Sequence, residues 1–147
     1  MRARLAITKV GKPAFDAATR WTAEYRRRIN RFGTLDYRIV KPAAADAAIE
    51  KIIRDREHLI VLDERGFALT SVAFADRLSE LIDAPEIGRP HFVIGGPDGL
   101  TADQKDAASE MLRLSNFVLQ GDLADVVLHE QIYRALNIIA GTSYHHA

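Results

Sequence analysis

The run His91-Phe-Val-Ile-Gly-Gly-Pro-Asp-Gly-Leu100 joins three strand-forming apolar residues to two consecutive glycines and a helix start. Its chemistry is that of holding rather than breaking bonds. Gly95 and Gly96 carry no side chains, so a ligand can come up against the backbone there, and ligands of open α/β sheets bind beyond the carboxyl ends of strands. The same pattern also serves a tight turn that needs glycine. Other chemistries find less support. Cysteine is absent, which excludes disulfides, thiolate metal sites and cysteine nucleophiles. His58, His91, His129, His145 and His146 show no metal-ligand spacing apart from the terminal pair, so no metal is expected. Arg20, Arg27, Arg28 and Arg31 form a basic group that could face RNA phosphates or simply solvent.

The elements that must position these residues alternate. Arg2 to Val10 reads as a strand ending in a Gly11-Lys12-Pro13 turn. Phe15, Ala18, Thr22, Tyr25, Ile29 and Phe32 recur at helical spacing, one core-facing stripe of a helix over 14–31, with Trp21 also read as core. The arginines fall largely off that stripe, and Arg20 with Glu24 forms an i,i+4 pair. A second strand covers 35–40, an alanine-rich helix 43–56, and a buried strand 58–63. The turn 63–66 follows, then a helix capped by Thr70 or Ser71. Phe92, Val93 and Ile94 lack polar alternation, which predicts a strand buried on both faces. Thr101 and Gln104 fit a capping box for a helix reaching about residue 109. A fifth strand spans 111–114, and Asp122 is placed to cap a last helix over 123–140 that is apolar on more than one face.

This βα alternation predicts an α/β fold, a parallel sheet with helices on both faces, and a length of 147 residues fits one domain over 1–147. A last helix apolar on two sides suggests a homodimer with that helix in the interface. Hydrophobic residues make up 48% and charged residues 27% of the chain, which is ordinary for a globular protein and argues against disorder. No run approaches a signal-peptide core or a membrane span, so a cytoplasmic location is expected. The formal net charge is zero, with 20 Lys/Arg and 20 Asp/Glu. Its distribution is uneven: residues 1–41 hold eleven Lys/Arg against three Asp/Glu, net +8, leaving nine against seventeen, net −8, for the rest. A basic face for RNA, or pairing with the acidic remainder across a subunit contact, would both use that asymmetry.

Taken together the chain resembles the ribosomal RNA large subunit methyltransferase H family, small members of the SPOUT methyltransferases. The resemblance spans nearly the whole length. It is carried by Glu24-Tyr25 with the basic residues that follow, Leu62-Asp63 with Gly66, the Ile94 to Leu100 stretch, Leu114-Ser115, Glu130-Gln-Ile-Tyr-Arg-Ala135 and the terminal Tyr144-His145. It implies transfer of a methyl group from S-adenosylmethionine to N3 of a pseudouridine in large-subunit (23S) ribosomal RNA, by a homodimer acting on the ribosome. It also implies a C-terminal trefoil knot. The cofactor would lie among three loops: one after Leu62, one at Gly95 and Gly96, and one formed by Leu114, Ser115, Asn116, Phe117, Val118 and Leu119. Tyr144 and His145 resemble the family's catalytic tail, His145 as base or Tyr144 as a positioning group.

One departure stands out. Where the family carries a Pro-His pair and, four residues beyond the His, an Arg, this chain has Gln120, Gly121 and Asp125. Beside a phosphate or a cofactor carboxylate, Asp in place of Arg turns attraction into repulsion. Either another basic residue such as Arg113 or Arg134 has taken over, or the chain is a catalytically impaired RNA- or ribosome-binding homologue.

Overall fold

The computed structural model describes residues 2–146. Five strands, β1 (Ala3–Val10), β2 (Gly33–Val40), β3 (His58–Ala68), β4 (Pro90–Ile94) and β5 (Glu110–Arg113), form one sheet in the order β2-β1-β4-β3-β5. Every pairing is parallel. The helices are α1 (Asp16–Ile29), α2 (Ala45–Arg54), α3 (Ser71–Asp83), α4 (Ala102–Asp106) and α5 (Gly121–Ala140).

Alternate residues of each strand feed two cores, as the two-residue strand period requires. Leu5, Ile7, Ile60, Phe92 and Ile94 face α1, α3 and α5, while Val10, Leu59, Val61 and Val93 face α2 and the segment holding Leu100. Helices therefore cover both faces of the sheet. Phe92 and Val93 have no exposed surface and Ile94 is 4% exposed. This short strand is buried on both faces because helices cover the sheet on both sides of it, while β1 and β3 flank its edges.

Several boundaries differ from the sequence reading. The turn expected at 63–66 interrupts β3 without ending it: the ladder with β5 shifts between Leu62 and Phe67, and Phe67 and Ala68 pair again with Leu112 and Arg113. Gly66 permits this, since a Cβ there would lie 2.7 Å from the Met111–Leu112 backbone. The stripe on α1 is core only from Thr22 onward. Thr22 and Ile29 are buried, whereas Phe15 and Trp21 are 59% and 53% exposed. Glu24 pairs with Arg27 and Arg28 instead of Arg20. The Thr70 cap and the Thr101–Gln104 capping box form as expected, though α4 ends at Asp106.

Candidate cofactor and RNA site

Strand register places the three expected loops at one edge. Ile94 is level with Lys9 on one side and Leu62 on the other, and Leu62 is level with Leu112. The chain therefore leaves β1, β4 and β5 at the same carboxyl end of the sheet, where β3 bulges at 63–66 before continuing to Ala68. The Leu62, Gly95–Gly96 and Leu114–Leu119 segments emerge together there, with the start of α5 beside them, as Gly121 lies against Lys9.

The two glycines do different things. A Cβ on Gly95 would come within 3.0 Å of Gly99 and Leu100, so that glycine is needed by the turn itself. A Cβ on Gly96 would meet only Val10 at 3.6 Å, an ordinary contact. None of the described residues crowds Gly96, which leaves its bare backbone open to a ligand. In the third loop Phe117 and Val118 are 83% and 79% exposed, an apolar surface of the kind that adenine or a second chain would cover. Bare backbone, apolar loop and a common edge all suit S-adenosylmethionine.

The departure before α5 is absorbed internally. Gln120, not Asp122, caps α5, its side-chain oxygen accepting from the Asp122 and Leu123 N–H groups. Asp122 is buried and accepts from the Ala14 and Phe15 N–H groups at 2.8 Å each, pinning the start of α1 to the start of α5. It also neutralises buried Lys9, whose Nζ lies 3.4 Å from Oδ1 and donates to the Gly11 carbonyl. Asp125 likewise points inward. Tyr37 donates to its Oδ2, and the Arg26 guanidinium stacks 4.0 Å from the centre of the Tyr37 ring. Arg26 also donates to Nε2 of the fully buried His129. Because that nitrogen accepts, His129 is neutral and its Nδ1–H donates to the Asp125 carbonyl. Burial raises the Tyr37 hydroxyl above its ordinary value, and the Asp125 carboxylate adds to the effect.

The C-terminal tail is docked. The Tyr144 ring meets the Tyr133 ring edge-on at 4.7 Å and lies under the Arg134 guanidinium at 4.9 Å. Arg134 is held by Glu130 at 2.6 and 2.7 Å and donates to Nδ1 of His145 at 3.1 Å. A guanidinium can only donate, so Nδ1 is an acceptor and neutral His145 carries its proton on Nε2. Burial, followed by Glu130, pushes the Tyr144 hydroxyl up to about 12. These partners all belong to α5, and no hydrogen bond or ring contact among the described residues joins Tyr144 or His145 to the three loops. On the basic face Arg20, Arg27, Arg28 and Arg31 are exposed, but Glu24 partly neutralises Arg27 and Arg28.

Sequence reading missed Lys9, Arg26 and Tyr37. A lysine inside the apolar strand Leu5 to Val10 was the available signal for the first, and an arginine four residues from buried Thr22 for the second. A cavity of about 330 Å3 lies away from the loops on the α2 side of the sheet, between Thr8, Arg38, Glu57 and His91. A smaller groove of about 160 Å3 runs between α3, β5 and α5.

Comparison with known proteins gives one direction. A family described as "Predicted SPOUT methyltransferase" matches residues 3–145. A protein of Maridesulfovibrio salexigens named "Ribosomal RNA large subunit methyltransferase H" is 37% identical, with 95% of this chain and 94% of that protein covered. One of the same name from Geobacter sulfurreducens is 36% identical, covering 97% and 99%. Among solved structures, a probable methylase family protein of Haemophilus influenzae superposes with a TM-score of 0.64 at 13% identity, over 100% of this chain and 72% of that one. A probable methyltransferase of Bordetella pertussis gives 0.61 at 16%, over 91% and 95%. At such identities these two speak to the fold alone.

Proposed function

Because this chain belongs to the SPOUT methyltransferase family, we propose that it transfers the methyl group of S-adenosylmethionine to N3 of a pseudouridine in 23S ribosomal RNA. In this reading it works as a cytoplasmic homodimer on the ribosome. The observation that carries the reading is the level alignment of Lys9, Ile94, Leu62 and Leu112, which sets the three loops at one edge of the sheet. The relatives named for this rRNA activity supply the substrate class.

The sulfonium of S-adenosylmethionine would supply an activated methyl group, with S-adenosylhomocysteine as the leaving group and the N3 proton passing to water, so the chain's task is mainly positioning. Gly96 offers unobstructed backbone, and Phe117 and Val118 offer apolar cover. Tyr144, whose hydroxyl keeps its proton well past neutral pH, is a hydrogen-bond donor for the target base. His145 presents Nε2–H while Arg134 occupies Nδ1; acting as a base would require releasing that contact. Arg20, Arg27, Arg28 and Arg31 supply charge for RNA phosphates.

A tail tied to α5 and separate from the loops fits a dimer in which each site combines the loops of one copy with the tail of the other. Exposed Phe117, Val118 and Leu123, the last on α5, supply the apolar surface for that contact. The trefoil knot rests on the family resemblance. Asp125 is turned into the protein and presents no charge to RNA, which favours a working enzyme over an impaired homologue. The test is methyl transfer from labelled S-adenosylmethionine to ribosomes lacking this modification. About one methyl group per ribosome, located at a pseudouridine, is expected. No transfer, together with no cofactor binding in the presence of ribosomes, would overturn the reading.

A further inference from the structure

The groove between α3, β5 and α5 is walled by three leucines, Phe74 and Val127, and its polar members are Ser71, Arg113 and Gln131. Ser71 and Gln131 satisfy each other, Oγ donating to Oε1 at 2.8 Å. Among the described residues Arg113 has no such partner: its Nε is shielded from solvent and donates to none of them. The carboxylate nearest in its own strand, Glu110, is already held by Arg77 and His58. An N–H of a cation that is buried and unpaired is costly, and the cost is recovered if an anion enters beside it. The other basic residue near α5, Arg134, offers no comparable vacancy, since Glu130, Tyr144 and His145 occupy it.

We propose that this groove receives the methionine arm of the methyl donor and that Arg113 is the counter-ion of its carboxylate. The inference rests on the reading of the chain as an S-adenosylmethionine-dependent enzyme and assigns a binding residue within it. The donor carries an ammonium, a sulfonium and a carboxylate, and only the carboxylate complements a guanidinium, which can hold it through two parallel N–H groups. The apolar walls match the methylene chain of the arm. Leu114 lines the groove and also begins the loop proposed for adenine, so both ends of one bent ligand meet a continuous surface. At about 160 Å3 the groove suits an amino-acid arm, and its single cation, Arg113, is unlike the open basic track that an RNA backbone follows.

Calorimetric titration of the full chain with S-adenosylmethionine and with its decarboxylated analogue tests the assignment, with and without ribosomes. The native protein should prefer the carboxylate-bearing donor at least tenfold. Arg113→Met should abolish that preference by weakening the donor and leaving the analogue unchanged, and Arg113→Lys should restore part of it. The proposal is overturned if the native protein binds both ligands equally, a result that depends on no variant folding. It is overturned equally if Arg113→Met keeps the preference, or if that variant loses ribosome affinity alone, which would give Arg113 to RNA. Native protein that binds neither ligand even with ribosomes present would overturn the methyltransferase reading and this assignment together.

Discussion

Tyr37 donates its hydroxyl proton to Asp125, 88 residues further along the chain. This contact turns a carboxylate that sequence reading set against RNA into part of the interior. With Arg26 and His129 it forms a buried polar group in which an acid and a base face each other between α1, β2 and α5. Replacing Asp125 with Arg would place a second guanidinium beside Arg26. The expected result is a loss of about 3–5 kcal/mol, the usual cost of an uncompensated buried charge, read as a lower urea midpoint. Asp125→Asn, which can still accept from Tyr37, should cost less.

Asp122 serves two N–H groups and one ammonium. Asp122→Ala should therefore destabilise by about 3–5 kcal/mol, since buried Lys9 would lose its counter-charge at the positive end of α5. Pairing it with Lys9→Met should recover part of the loss. A double-mutant cycle in urea measures the coupling, and strict additivity would show that the 3.4 Å pair contributes nothing.

The tail predicts a separation of activity from stability. Tyr144→Phe removes one hydroxyl whose bond to Glu130 is long, 3.5 Å, and keeps the ring packing on Tyr133. It should leave the unfolding free energy from urea titration within about 0.5 kcal/mol of native, as for most changes near the surface. Methyl transfer should fall at least tenfold if the hydroxyl orients the base. Because the Tyr144 hydroxyl titrates near 12 in the fold against an ordinary value of 10, the unfolded chain ionises first. Its stabilising contribution is full below pH 10 and is lost as pH rises towards 12, which ultraviolet titration of the phenol would follow.

Acid should weaken the protein in two stages. His91 accepts or donates between Thr8 and Glu57 in the interior, and burial holds it below its ordinary value of 6.5. The unfolded chain then takes up that proton first, and stability falls as pH drops below 6.5. Glu57 pays for burial, but its bonds to Arg89 and His91 prevail and keep it below 4.5. Glu110 follows the same logic with Arg77 and His58. Both add to the loss as pH falls below 4.5. Urea midpoints should hold from pH 8 to about 6.5 and decline from there to pH 4, and His91→Gln should flatten the upper part of that decline.

The strand and helix alternation, the Thr70 cap, the Thr101–Gln104 box and the doubly buried Phe92 to Ile94 strand were legible because each is written in neighbouring residues. What escaped depends on residues far away. Asp122 looks like a helix cap by position, yet its carboxylate is drawn to amides 107 and 108 residues earlier, and Gln120 takes the cap. Residues 63–66 read as a terminal turn because nothing local reveals that Phe67 will rejoin β5. Phe15 shares the periodicity of core residues and Trp21 their apolar character, but neither property says which part of a helix face its neighbours will cover. In the candidate site the glycine loop was visible. The burial of Asp125 and the unpaired Arg113 were not, since both follow from the packing of α5 and β5.

The pairing of Lys9 with Asp122 also bears on how the protein is made. An N-terminal strand carries an ammonium that cannot be buried cheaply until a carboxylate more than a hundred residues later has been translated. At 5–20 residues per second that wait lasts roughly 5–20 s, during which β1 cannot settle between its neighbours at full stability. Burial of Lys9 is therefore completed only once α5 has left the ribosome and brought its counter-charge to β1.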